Sequence, residues 1–453
     1  AKSAIKDAGN ESIKNYIDEI RIPKGFWKYR DPGKWIAKNN NFKENPTTYV
    51  TKIGVLQQHL INEACLKISE GEIEASMILG GEARYKKLRS EIEKKSFEEI
   101  LLKKNPNHYV KAKEDLYSEE ELEQLGAMAV GYYAVIETAL RKASNQSIEK
   151  HKETIARMYE KFSKIAAKKK SAWNEKSFTK DEILFDSEKN KMMAFPYNKL
   201  HCTSWNVNQS AGLIICNEKL ADDLGIEKNK RVYPIISTEN NHMLSIQQRP
   251  KLYESMGMVF AADKIQEEIK RLNLDIGAYD LYSCFPAAIK MFQNSLDIDN
   301  SRPITATGSM AFAGGPLNSF VLHSSVEMIK NIRDKIFNYG LVTGVSGMMT
   351  KQSFCVWGKD YREGFIFHDL TSQAQALEKP KKISDKSEGK GRIAGYTFFR
   401  ASNSKNKAVL YLDVNESMRK VVSSDNKDFI KSLEIEEWVG RKVFFKNQKI
   451  TNW

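Results

Sequence analysis

Residues 1–83 and 196–370 alternate short apolar strand signals with amphipathic helix signals, joined by short connections. This alternation constrains the fold more than any other feature. Strands and helices joined this closely bury their apolar faces as layers, with helices packed on a largely parallel sheet. Asp18–Pro23 (DEIRIP) reads as a short strand. Leu56–Ser69 (LQQHLINEACLKIS) repeats apolar residues at helical spacing through Leu56, Leu60, Ile61, Ala64 and Ile68, and Gly71 ends it. Glu74–Leu79 (EASMIL) reads as a buried strand closed by Gly80–Gly81. Later come strands at Ser210–Cys216, Arg231–Thr238 and up to Asp280–Tyr282, and helices at Asn217–Gly225, Met258–Leu272 and Phe285–Leu296. Gly340–Val345 and Ser353–Trp357 read as a final strand pair.

Two segments break the rhythm. Between 84 and 195 glycine and proline almost vanish and charge rises. One amphipathic helix is expected through Leu122, Leu125, Met128, Tyr132, Ile136 and Leu140, and another through Ile148, Ile155, Phe162 and Ile165. The run Lys168–Lys170 closes this insertion, as a solvated face or as a phosphate contact. After a polar linker at 376–392, residues 393–453 are β-rich with one helix-like stretch, which suggests a small OB-like β-barrel. The expected division is 1–83, 84–195 (insertion), 196–240, 241–375, 376–392 (linker) and 393–453. The chain enters on a helix-like stretch without Met, so a first strand is expected to be missing from this sequence.

The 453 residues include 41% hydrophobic and 10% aromatic side chains, enough for a buried core in more than one domain. No apolar run approaches the roughly 20 residues that span a bilayer. The net charge of +13 follows from lysine spread along the whole chain, and the aromatics do not interleave with it as a nucleic-acid stacking platform requires. Cys65, Cys202, Cys216, Cys284 and Cys355 are odd in number and far apart, with no CxxC pair. That argues against a disulfide framework or a zinc knuckle and for a reducing, cytoplasmic setting.

Four places could carry chemistry. They are Thr305–Ser324 (TATGSMAFAGGPLNSFVLHS), read as a strand, a glycine turn and a helix; Asn338–Lys351 (NYGLVTGVSGMMTK); the turn Tyr282–Phe285; and Lys199–Gln209 (KLHCTSWNVNQ). Cys284 precedes a helix, whose free N–H groups lower a thiol pKa, so it is a candidate nucleophile; a buried cysteine acting as a small apolar group is the alternative. Tyr282 could exchange a proton in a dry cleft, or could be structural. Neither glycine turn is GxGxxG or GxxxxGK[ST], so nucleotide binding by those devices is unsupported.

Taken together these stretches resemble the thiolase superfamily, and more narrowly its thiolase-like proteins of type 1 with an extra C-terminal domain. GVLQQHLINEACLKISEGEIEASMILGGEARY resembles the family's central helix and the strand after it, and DLYSCFPAAIK, TGSMAFAGGPLNS and GLVTGVSGMMTK resemble its three active-site loops in order. The resemblance implies two pseudo-equivalent βαβαβαββ halves layered αβαβα, and a helical loop domain over coenzyme A. It also implies acetyl-CoA acetyltransferase-type acyl transfer in lipid metabolism. Coenzyme A esters would be the ligand, with no covalent cofactor and no metal. A homodimer, or a partner protein held by the C-terminal domain, is also implied. Gly54, Phe312, Gly314, Gly315, Gly344, Ser346 and Gly347 would line the substrate and coenzyme site.

The chain departs from the family pattern at every catalytic position. The acylated cysteine falls at about Gly54, the histidine of the Gly-His-Pro turn at Gly315, and the second cysteine at Val345. Tyr282 stands where the family has asparagine or histidine. Claisen chemistry needs an acyl acceptor and a base, and neither is in place. Three readings follow. The first is acyl transfer with relocated groups, drawn from Tyr282, Ser283 and Cys284 and then Cys202. The second is retro-aldol cleavage of a hydroxyacyl-CoA with Tyr282 as base. The third is coenzyme A ester binding without turnover. His323, two turns into its helix, is expected to point elsewhere.

Overall fold

The computed structural model describes all residues except 43–44, 101, 114, 300, 361, 363 and 401–405. The first half runs α1 (Lys2–Ala8), β1 (Ile17–Pro23), α2 (Pro32–Asn39), β2 (Thr47–Thr51), α3 (Gln57–Ser69) and β3 (Ala75–Ala83). An insertion follows: α4 (Arg84–Ile92), β4 (His108–Val110), α5 (Glu119–Leu125), α6 (Ala129–Ala143), α7 (Ile148–Ala166), α8 (Lys180–Leu184), and the pair β5 (Met192–Ala194) and β6 (Tyr197–Asn198). The half closes with β7 (Asn208–Cys216). The second half holds α9 (Glu218–Asp223), β8 (Tyr233–Asn240), α10 (Met256–Arg271), β9 (Ile276–Asp280), α11 (Pro286–Ser295), α12 (Phe320–Arg333), β10 (Tyr339–Ser346), β11 (Lys351–Gly358), β12 (Ile366–Asp369) and α13 (Thr371–Leu377). The tail holds β13 (Lys382–Ile383), β14 (Glu388–Phe399), β15 (Lys407–Asp413), β16 (Met418–Ser424), α14 (Lys427–Ile435), β17 (Lys442–Lys446) and β18 (Lys449–Asn452).

Two five-stranded sheets form the halves, in the orders β4-β2-β1-β3-β7 and β12-β8-β11-β10-β9. In each, a parallel strand is followed by an antiparallel one, β3 by β7 and β10 by β11. The two halves are therefore repeats. The apolar helices α3 and α12 lie with β10, where Gly344 lets the strand approach both: a Cβ there would sit 3.1 Å from Val321 and 3.9 Å from Gln58. In the tail, β14, β15, β16, β18 and β17 pair in a ring, with β16 and β18 parallel and α14 between the third and fourth strands. This is the closed OB-like barrel that the sequence suggested.

Four local expectations need correcting. The helix expected from Leu122 to Leu140 is two helices, broken at Gly126, whose φ of +68° no helix accepts. Gly80 and Gly81 do not end β3. They pair with Ala211 and Ser210, and Gly80 is small because a Cβ would meet Ser319 at 2.3 Å. No strand precedes the glycine turn at 305; residues 303 and 304 only accept two backbone bonds from Tyr279 and Leu281 beside β9. Finally, β10 and β11 are not the last strands of the second half, because β12 adds parallel to β8.

Candidate functional site

The four glycine- and cysteine-bearing places that stood out in the sequence meet in one place. Ser204 N–H donates to Met310 at 3.0 Å and Gly315 N–H to Ser204 at 2.9 Å, zipping the Lys199–Gln209 segment to the glycine loop. Thr203 Oγ1 donates to the Cys284 carbonyl at 2.9 Å. Ser283 Oγ accepts the Met310 N–H at 3.0 Å. Tyr282 N–H donates to Thr343 Oγ1 on β10 at 2.8 Å. Asp280 anchors the start of the loop: its buried Oδ1 accepts from Ala306 N–H at 2.7 Å, Thr307 N–H at 3.1 Å and the Thr305 hydroxyl at 3.0 Å. Burial nonetheless pushes its carboxyl above the usual range, against donors that include Ser324.

Tyr282 faces Gln57, the first residue of α3. Gln57 Oε1 accepts the Val321 N–H at 2.8 Å, so its amide N–H is the group that meets the Tyr282 hydroxyl. Burial outweighs this donor and holds the phenol well above its ordinary pKa. Cys284 Sγ receives the Tyr133 hydroxyl and the Phe285 N–H, yet burial pushes its thiol up to about 12. Phe285 is stacked between Tyr133, at 4.6 Å, and Tyr197, at 5.6 Å. The Tyr197 hydroxyl donates to Glu137, which also meets His151 Nε2 at 2.7 Å, and it accepts the N–H of Ala287 in the first turn of α11 at 3.4 Å. Burial also pushes the Cys202 thiol up. Beside it, His201 Nδ1 accepts the Asn198 N–H at 3.1 Å, so Nε2 carries the hydrogen, and burial drops the imidazole to about 3. Around the Asp280 and Glu137 carboxyls the site thus presents neutral groups: phenols, thiols, an amide and an unprotonated imidazole.

The glycines of the site leave no room for side chains. A Cβ on Gly315 would sit 2.1 Å from Thr203 Cγ2, so Thr203 fills the space that a side chain at 315 would need. A Cβ on Gly314, at φ +98°, would meet Gln209 Oε1 at 2.2 Å. Gly54, at φ +104°, faces Ala112, and from the start of α3 it is Gln57 whose side chain reaches Tyr282. Phe312 is fully buried against Tyr159 and Phe178. Ser346 and Gly347 form the turn after β10, where the Ser346 carbonyl accepts the Thr350 hydroxyl at 3.4 Å and Gly347 takes φ +69°. His323 lies away from this site, in the groove beside β7. Sequence reasoning missed Gln57, Thr203, Tyr133, Asp280 and His201. All but Tyr133 lie inside the stretches singled out in the sequence, but only the fold brings them together.

Helix α6 covers the site and the barrel holds α6. Thr138 Oγ1 donates to the Tyr396 carbonyl and accepts the Tyr396 N–H, both at 2.9 Å. Gly395 permits this approach, since a Cβ there would be 2.7 Å from the Val135 carbonyl oxygen. At the other end of the insertion, the end of α7 abuts the glycine loop: a Cβ on Gly308 would be 2.4 Å from Ala166 N. Lys168 and Lys170 are exposed there, while Lys169 is paired with Glu327.

The architecture and the loop cluster define an α/β protein of two repeated halves with a covering insertion. The chain is similar to a monomeric SCP2-thiolase-like protein of type 1 from Mycobacterium smegmatis, at 22% identity, TM-score 0.83, and coverage of 100% of this chain and 93% of that one. It is similar to the Ltp2-ChsH2(DUF35) aldolase at 15% identity, TM-score 0.57, and coverage of 78% and 90%. The acetyl-CoA acetyltransferase of Syntrophomonas wolfei matches at 13% identity, TM-score 0.53, and coverage of 80% and 93%. No protein-family model and no curated protein matches the chain. The chain has the fold of the thiolase superfamily, with an OB-like barrel fused at its C-terminal end. Among the described residues, no helix is long and apolar enough to cross a membrane.

Proposed function

We propose that this chain binds a coenzyme A thioester among the Tyr282, Gly308–Gly315 and Val345–Gly347 loops, without forming an acyl-enzyme. One observation carries the reading: burial holds the Tyr282 phenol and the Cys284 and Cys202 thiols in their neutral forms. A nucleophile must be a thiolate, and a thiol pushed to about 12 is scarcely ionised at neutral pH. Cys284 and Cys202 then line the thioester pocket, Ser283 holds the glycine loop, and Tyr282, fixed by Gln57, supplies a hydrogen bond to the thioester oxygen. Lys168 and Lys170, exposed at the end of α7, are the groups this reading assigns to the phosphates. Acetyl-CoA acetyltransferase-type transfer is the reading these protonation states support least. The test is calorimetric titration with acetyl-CoA and longer esters: saturable binding with no release of free coenzyme A is expected. Absence of binding by all esters, or thiolysis lost in Cys284→Ala, contradicts it.

A second reading, retro-aldol cleavage of a hydroxyacyl-CoA, is favoured by the fused barrel and by the likeness to the Ltp2-ChsH2(DUF35) aldolase. In it Tyr282, whose phenol stays protonated, hydrogen-bonds the enolate oxygen, and the substrate's hydroxyl proton passes through water to the α-carbon as the C–C bond breaks. Aldehyde or ketone release across a panel of hydroxyacyl-CoAs distinguishes this reading from binding alone.

A further inference from the structure

Two buried arginines run in series from the barrel to the last of the site's loops. Arg419, on β16, is 1% exposed. Its Nε donates to Asp413 at 2.7 Å, its Nη1 to the Arg249 carbonyl at 2.6 Å and its Nη2 to the Pro250 carbonyl at 3.1 Å. Arg249, 2% exposed, spends its own guanidinium on main-chain carbonyls. Nη1 donates to Leu252 at 3.1 Å, and Nη2 bridges Met348 at 2.8 Å and Met349 at 2.9 Å. Both methionines lie in the turn 347–350 between β10 and β11. Met349 holds φ +58°, a conformation that a side chain rarely adopts and that persists only where the surroundings impose it. Its carbonyl is also held by Gln352 at 2.9 Å. A guanidinium presents its donors at fixed angles, so it sets two carbonyls relative to each other as a flexible ammonium does not.

We propose that Arg249 and Arg419 are positioning residues: through them the barrel sets the 347–350 turn, and with it the Val345–Gly347 loop that holds the thioester. The part played toward the thioester rests on the proposed function; the coupling from barrel to turn does not. Among the described residues Arg419 makes no hydrogen bond to the turn, so its effect there passes through the backbone and guanidinium of Arg249. The same segment is fixed from the insertion, where Glu121 accepts the Gln247 N–H at 2.7 Å and the hydroxyl of the barrel's Tyr411 at 3.0 Å. Residues 246–250 are therefore a buried hub between barrel, insertion and site loop. A satisfied buried polar network of this kind rigidifies what it holds. The barrel is in this way a working part of the site and not an appended module.

The test uses conservative variants of the full chain, Arg249→Lys and Arg419→Lys, which keep the charge but cannot span two carbonyls. The control is Arg141→Lys, which weakens a different contact with the tail, the two bonds from Arg141 to Glu437 at 2.7 and 3.0 Å. Hydrogen exchange of the 347–350 amides is followed by mass spectrometry. Exchange is expected to speed up about tenfold in Arg249→Lys and about fivefold in Arg419→Lys, and to stay at the parent rate in Arg141→Lys even where its Tm falls as far. Titration with acetyl-CoA is expected to show a Kd raised about fivefold in the first two variants and unchanged in the control. Unchanged exchange at the turn in Arg419→Lys overturns the coupling. So does an equal rise in Arg141→Lys, which would mark a general loosening of the barrel. Parent affinity in both Arg249→Lys and Arg419→Lys overturns the positioning role at the site. No binding by the parent chain contradicts the proposed function, and the exchange rates then still decide whether the barrel sets the turn.

Discussion

Gly315 and Thr203 approach so closely that a Cβ on the glycine would lie 2.1 Å from the threonine methyl. The turn at Gly315 is thus closed to a side chain. Thr203 is itself held by its bond to the Cys284 carbonyl and cannot swing aside without giving that up.

Gly315→His is therefore expected to destabilise the chain rather than restore chemistry. Overpacking of this kind costs about 1–3 kcal/mol. Thermal unfolding should show a lower Tm, and thiolysis of acetoacetyl-CoA should stay at background. The pair Gly315→His with Thr203→Gly should recover much of the lost Tm and still show no thiolysis.

Cys284 is expected to resist alkylation. With its pKa pushed to about 12, the thiolate fraction at pH 8 is on the order of 10⁻⁴. Peptide mapping after iodoacetamide should show modification rising tenfold per pH unit through pH 10 without a plateau. A plateau below pH 8 would mark an activated nucleophile and reinstate acyl transfer.

The order of the elements was legible in the sequence because hydrophobic periodicity and glycine punctuation report local structure directly. Loops such as DLYSCFPAAIK and TGSMAFAGGPLNS were legible for the same reason. What was not legible depends on tertiary approach. Gln57 looks like an ordinary helix residue until α12 and Tyr282 close on it. The glycines Gly80 and Gly315 read as turn signals, yet their smallness answers to Ser319 and Thr203 from distant segments. The helix from Leu122 to Leu140 kept a helical period across Gly126, so periodicity alone joined two helices.

Acid should weaken the fold through His201. Its folded pKa of about 3 lies below the ordinary value near 6.5, so the unfolded chain takes up the proton first. Its contribution is complete above pH 6.5 and falls as pH drops toward 3, at up to about 1.4 kcal/mol per pH unit. His201→Asn keeps an acceptor for the Asn198 N–H. Urea unfolding at pH 7 and pH 4.5 should show a smaller loss for this variant than for the parent chain.

Thr138→Val should loosen the barrel from α6. The change leaves the buried Tyr396 N–H and carbonyl without their partner, a cost of about 1–3 kcal/mol. Limited trypsinolysis should then cut faster after Lys381 and Lys382, which precede the barrel. If the cutting rate is unchanged, the Thr138–Tyr396 contact does not hold the barrel in place.

The most direct measurement is a crystal structure of the chain soaked with acetyl-CoA. The thioester oxygen is expected within about 3.5 Å of the Tyr282 hydroxyl, with the Cys284 sulfur unmodified. An acetyl group bonded to Cys284, or a thioester bound away from the Tyr282 and Gln57 pair, would contradict the proposed function.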